Sequence, residues 1–104
     1  MSYFAYDQMG ATISSPSESQ MQQLLASLTS GDLEHPDVSL THESGWSISV
    51  FSTGLLVFEN VESREGPWHM RDVTFSRAQE FWLMLAAGKL KELRSLPWVP
   101  GYGT

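Results

Sequence analysis

Three histidines, His35, His42 and His69, are the side chains of this 104-residue chain that titrate near neutral pH, so they are its candidates for general acid–base work. Such work needs a carboxylate or a second histidine within hydrogen-bonding reach. No two of them stand one helical turn apart, as a metal-binding pair would, and His42-Glu43 directs adjacent side chains to opposite faces of a strand. They read as exposed or partly buried histidines. Most of the serines lie between Ser2 and Ser52, where caps and turns use them. None stands in a nucleophile elbow, and no Lys precedes Lys89 to activate one. With no cysteine there is no thiolate nucleophile and no thiolate metal site, and a cytoplasmic home is expected. Gly101 and Gly103 have no helix after them to form a phosphate loop. No cofactor is implied.

Charge is more informative than chemistry here. Residues 1–63 hold eight carboxylates (Asp7, Glu18, Asp32, Glu34, Asp37, Glu43, Glu59 and Glu62) and no Lys or Arg. All six basic residues, Arg64, Arg71, Arg77, Lys89, Lys91 and Arg94, follow, among only four more acids. A net charge of −6 distributed in this way repels nucleic acid and anionic lipid and speeds encounter with a basic protein surface. Acids scattered on turns to keep a small protein soluble are an equal alternative, against which stands that interspersed solubilising charge does not predict 63 residues without a base.

The elements that must position these groups follow from periodicity. Length fits one domain with a core of its own, and a hydrophobic fraction of 41% is that of a globular chain. MSYFAYDQMG has no signal-peptide pattern, and Phe81 to Ala87 is too short to span a bilayer, so no membrane partner is expected. Tyr3 to Ile13 reads as an edge strand or arm. Ser15-Pro16-Ser17-Glu18 predicts a helix from about Pro16 to Thr29, with Ser15 as cap, Glu18 completing a capping box, and Met21, Leu24, Leu25 and Leu28 as its apolar stripe.

The period then changes to two. Val38 and Leu40 alternate with polar neighbours, Trp46, Ile48 and Val50 alternate with Ser47 and Ser49, and Leu55 to Val61 and Trp68 to Val73 are further strands. A second helix is expected over Ser76 to Ala87, capped by Ser76 and Gln79, with Ala78, Phe81, Trp82 and Leu85 inward; Leu90, Leu93 and Leu96 indicate a short helix after Gly88. The fold class is α+β: an antiparallel meander of about four strands, two main helices on one face, and a short C-terminal helix. Asp32, Glu34, Asp37 and Glu43 flank the first strand of that meander, and Glu59 and Glu62 the end of its third. With Trp68, beside the charged turn Glu62 to Pro67 and readable as a core residue or as an interface anchor, they form the candidate partner-binding set. If the strand ends converge, these acids make one patch that mimics phosphates toward a basic cleft.

The Ser15-Pro16 helix start, Gly45-Trp46 and Gly54-Leu55-Leu56-Val57 in the meander, the helix end Ala86-Ala87-Gly88 and the closing Pro97-Trp98 resemble the small α+β immunity proteins of bacterial polymorphic toxin systems, in outline the family found beside deaminase toxins. The resemblance implies a protein that binds one cognate toxin, nucleic-acid- or nucleotide-targeting, and occludes its active site, as a monomer or weak dimer when free. Two other readings stand beside it. One is an acidic adaptor or regulator of another basic protein; the other is a small enzyme that pairs His35, His42 or His69 with a carboxylate.

Overall fold

The computed structural model describes residues 2–30 and 37–103. The chain runs β1 (Tyr3–Tyr6), β2 (Thr12–Ser14), α1 (Glu18–Ser27) with a 3-10 turn Leu28–Ser30, β3 (Asp37–His42), β4 (Trp46–Phe51), β5 (Leu56–Asn60), β6 (Trp68–Met70), α2 (Phe75–Ala86), α3 (Leu90–Arg94) and β7 (Val99–Pro100). All strands join one antiparallel sheet of seven, in the order β2-β1-β3-β4-β5-β6-β7.

The α+β class is as expected, but the sheet has seven strands where the sequence suggests about four. The first aromatic segment is not a single edge strand. It folds back on itself through Asp7, whose Oδ1 accepts the Met9 and Ala11 amides at 2.9 Å each, and this tight turn makes a hairpin. That puts β1 inside the sheet and leaves β2 at the edge. The last strand, β7, is only two residues long and ends in a proline, too brief to show in a periodicity.

One register row crosses all seven strands: Ile13, Ala5, Leu40, Ile48, Phe58, Trp68 and Pro100. With Val38, Val50 and Leu56 it faces the helices. Met21, Leu24 and Leu25 of α1 and Ala78, Phe81, Trp82 and Leu85 of α2 belong to the same buried cluster. Trp82 is fully buried, and its Nε1–H donates to the Ile48 carbonyl at 3.0 Å, which docks α2 on the middle of the sheet.

Both helices start at other residues than expected. Ser15 donates its amide to the Tyr3 carbonyl, completing the β1–β2 ladder, and turns the chain at φ 46°. It therefore cannot begin α1. Ser17 caps instead, its Oγ accepting from the Gln20 amide at 3.1 Å while Gln20 Oε1 accepts from the Ser17 amide at 2.9 Å. The sequence holds two overlapping capping boxes, and the strand decides between them. Thr74, not Ser76, caps α2 through the Arg77 amide. Gln79 leaves the cap altogether and donates to the Glu18 carbonyl at 3.1 Å, tying the two helices together.

Candidate protein-binding face

Strand alternation places a second set of side chains on the side of the sheet away from the helices. One row reads Thr12, Tyr6, Ser39, Ser49, Val57, His69 and Val99; the next reads Ser14, Phe4, Thr41, Ser47 and Glu59. The middle is a floor of small hydroxyl residues, Ser39, Thr41, Ser47 and Ser49. Thr41 Oγ1 donates to Ser47 Oγ at 3.1 Å, which satisfies two buried hydroxyls against each other. Phe4 and Tyr6 stand on the β1 side, edge to face with centroids 5.3 Å apart, and Tyr6 is 40% exposed.

The C-terminal residues pass over the β5–β6 side of the same face. His69 Nδ1 donates to the Gly101 carbonyl at 2.9 Å, Tyr102 Oη donates to Glu59 Oε1 at 3.1 Å, and the Arg71 guanidinium donates to the Gly103 carbonyl. A Cβ at Gly103 would stand 2.8 Å from Leu55 and 2.9 Å from the His69 ring, so only glycine allows so close an approach. The run Leu55 to Phe58 is apolar on both faces, and this is how both are covered: helices on one side, tail on the other. The Glu59 hydrogen bond and charge, and then burial, push the Tyr102 phenol above its ordinary value.

The candidate acids divide. Glu59 lies on this face, and Glu43 and Glu62 lie in the β3–β4 and β5–β6 turns at the same end of the sheet. Those turns touch: a Cβ at Gly45 would come within 3.1 Å of the Glu62 side chain. Asn60 holds the second turn, its Oδ1 accepting the Glu62 and Ser63 amides at 2.9 Å and its Nδ2 donating to the Ser44 carbonyl at 3.1 Å. Asp37 is on the same face at the opposite end, beside Phe51 and about 13 Å along β3 from Thr41. The acids therefore do not form a single patch. Asp32, Glu34 and His35 lie outside the described residues.

Burial pushes the Asp37 carboxyl above its ordinary value, against a smaller opposing effect of its own backbone amide. Arg71 reaches this surface through its bond to the Gly103 carbonyl, and Arg64 lies in the turn after Glu62. Arg77, Lys89, Lys91 and Arg94 lie on or beside α2 and α3. Acids share that side, with Glu18 on α1, Glu80 on α2 and Glu92 on α3, and Arg77 pairs with Glu80 and Arg94 with Glu65.

Trp68 does not join the acids. It faces the helices, half-buried in an aromatic stack with Trp46 at 6.1 Å between centroids. What periodicity left unassigned is the pair of aromatic flanks, Phe4 with Tyr6 and the returning Tyr102. The alternating serines of β3 and β4 were a visible sign of the floor between them.

His42 and His69 both make local hydrogen bonds, to Ser44 and to the Gly101 carbonyl. The Ser44 amide donates to His42 Nδ1 at 3.1 Å, so a neutral His42 carries its proton on Nε2, which is buried with no hydrogen-bond partner among the described residues. Neither His42 nor His69 has a carboxylate as its hydrogen-bond partner there. Among the described residues no group of three His, Asp or Glu could hold a metal ion, and no helix is long and apolar enough to cross a membrane. Comparison with protein-family models, curated proteins and solved structures gave no match.

Proposed function

We infer that this chain acts by binding a basic protein, and that it is the immunity partner of a nucleic-acid- or nucleotide-targeting toxin whose active site it occludes. The observation that carries this reading is the part of the helix-free sheet face that the C-terminal residues leave uncovered. It combines the partly exposed Ser39 and Ser49, aromatic flanks at Tyr6 and Tyr102, and carboxylates at both ends. Tyrosine gives large contact area at low entropic cost and serine adapts its hydrogen bonds, the composition that binding surfaces use. A toxin that handles nucleic acid has a basic cleft, and carboxylates at either end of the face suit it. Electrostatic screening acts over about 8 Å at physiological salt, so the local group Glu43, Glu59 and Glu62 matters more to docking than the net charge. On this reading the protein performs no chemistry and needs no cofactor.

The test begins with tagged protein used to capture partners from its host at low and high salt. The expected result is one basic polypeptide at equal stoichiometry that arrests growth when expressed alone and is neutralised by this chain. A captured basic protein without toxicity favours the adaptor reading, and no specific capture overturns both. With the pair in hand, reversing Glu59 and Glu62 together to Lys should slow association about tenfold at low salt, with a much smaller effect at high salt. Wild-type association by the reversed protein removes the electrostatic part of the proposal.

A further inference from the structure

On the helix side of the sheet four aromatic rings form a cluster, in which Phe58, Trp46 and Trp68 are in mutual contact. Trp98 stacks on Phe58 with centroids 5.0 Å apart, Phe58 on Trp46 at 4.6 Å, and Trp46 on Trp68 at 6.1 Å, with interplanar angles of 21°, 22° and 26°. Beside this cluster opens a cleft of ≈ 200 Å³ lined by Phe58, Trp68, Arg94, Leu96 and Trp98. Ligand pockets for larger molecules run from about 300 Å³ upward, so this one suits a single small ring system.

Its walls are held in place by the fold. The Trp98 Nε1–H donates to the Leu93 carbonyl at 2.8 Å, and Leu93 is fully buried, so the indole plane is fixed to α3. The Trp68 ring lies against Gly66, where a Cβ would be 3.0 Å from the ring and 3.1 Å from the Phe58 carbonyl. Arg94 lies over the Trp46 ring, 5.3 Å from its centroid, and 3.7 Å from the Glu65 carboxylate.

The chemistry of the lining selects the ligand. Three aromatic walls alone suit a quaternary ammonium group, but a guanidinium in the same lining repels one. Arg94 takes a carboxylate, as its contact with Glu65 demonstrates. That pair is about half exposed on both sides, 55% and 50%, so it is weak and exchangeable. We propose that this cleft binds a planar aromatic ring carrying a carboxylate, with the ring against Trp68 and Trp98 above Phe58 and the carboxylate on Arg94 in place of Glu65. Either a free aromatic acid or the C-terminal aromatic residue of a polypeptide presents both groups. The site is on the other side of the sheet from the acidic face and does not depend on the toxin reading.

The test follows the indole N–H cross-peaks of the whole protein by NMR during titration with indole-3-acetate, indole-3-acetamide and tryptamine. The acid should shift Trp68 and Trp98 saturably and leave the core Trp82 unmoved, which also reports an intact fold. The neutral amide should bind at least about tenfold more weakly, since it lacks the charge-assisted bond. Arg94→Gln should weaken the acid to the level of the amide, and Glu65→Gln should tighten it about two- to fivefold by removing the competing carboxylate.

A parallel titration with an acetylated Gly-Gly-Trp peptide and its C-terminal amide separates the two sources. Tighter binding of the peptide acid than of indole-3-acetate assigns the site to a polypeptide C-terminus, and the reverse order to a free acid. Absence of saturable binding by either acid overturns the proposal. So does tryptamine binding as tightly as the acid, or indifference to Arg94→Gln.

Discussion

The two faces of the sheet are built on adjacent register rows and could hardly be less alike. The row toward the helices reads Ile13, Ala5, Leu40, Ile48, Phe58, Trp68 and Pro100, while its neighbour reads Thr12, Tyr6, Ser39, Ser49, Val57, His69 and Val99. On the first, packing against the helices buries Ala5, Leu40, Ile48 and Phe58 and half-buries Ile13 and Trp68, while Pro100 at the edge stays exposed. On the second, burial explains only Val57 and the paired Thr41 and Ser47. Serine is not among the residues that strands favour, and a carboxylate at a strand position disfavours it. The composition of the second face thus lowers intrinsic strand stability, and the stable covered face is what permits it. The helix-facing rows carry the core, while the rows on the other face hold side chains that the core does not use.

The sharpest way to break that division is to truncate one large ring on each side. Trp82→Ala removes a fully buried indole and its bond to the Ile48 carbonyl, and should cost about 3–5 kcal/mol in chemical denaturation. Tyr6→Ala, on the uncovered face, should stay within about 0.5 kcal/mol of wild type. Comparable losses for the two would mean that the uncovered face carries the fold as well.

Next in size is the turn that brings Glu43 and Glu62 together. Gly45 has φ 92°, and a Cβ there would stand 2.6 Å from Asn60 Oδ1, the atom that accepts the Glu62 and Ser63 amides. Gly45→Ala combines left-handed strain with displacement of that acceptor, and should cost on the order of 1–3 kcal/mol. Unlike Trp82→Ala, it should also shift the Glu62 and Ser63 amide resonances in the folded protein. If those resonances stay in place, the turn does not position Glu62.

Much of this division is legible in the sequence, and the illegible parts have physical reasons. Val38 and Leu40 alternating with polar residues, and Trp46, Ile48 and Val50 alternating with serines, mark β3 and β4 and both of their faces. The stripes of α1 and α2 are equally plain. The hairpin of β1 and β2 is not, because its turn depends on Asp7 accepting two local amides, and no apolar period reveals that. Nor is the choice of Ser17 over Ser15 as cap, since it depends on a ladder bond from Ser15 to Tyr3. Among the acids, positions at strand ends of a meander suggest a single patch if those ends converge. Strand direction separates Asp37 from Glu43, Glu59 and Glu62, because the two ends of one strand point to opposite ends of the sheet. Tyr102 reaches the face only because the tail doubles back over β5 and β6, a long-range event that no local pattern encodes.

The smallest predicted effect concerns that separated acid and sharpens the comparison by pH. Burial raises the Asp37 carboxyl above its ordinary value of 3.8, so the folded state binds a proton more readily there than the unfolded chain does. The contribution of Asp37 to stability is therefore fully present below the ordinary value and is lost as pH rises through the raised one. Asp37→Asn removes the charge that folding desolvates. It should match wild type near pH ~3 and become more stable by a few tenths of a kcal/mol at neutral pH, the size being limited by the water that still reaches the carboxylate. Thermal melts of both proteins across that range measure the difference directly. A variant less stable than wild type at neutral pH would mean that the Asp37 charge has a favourable partner in the folded chain. A more stable variant with weaker partner binding would identify Asp37 as a carboxylate kept at a cost to folding for a cation the partner supplies.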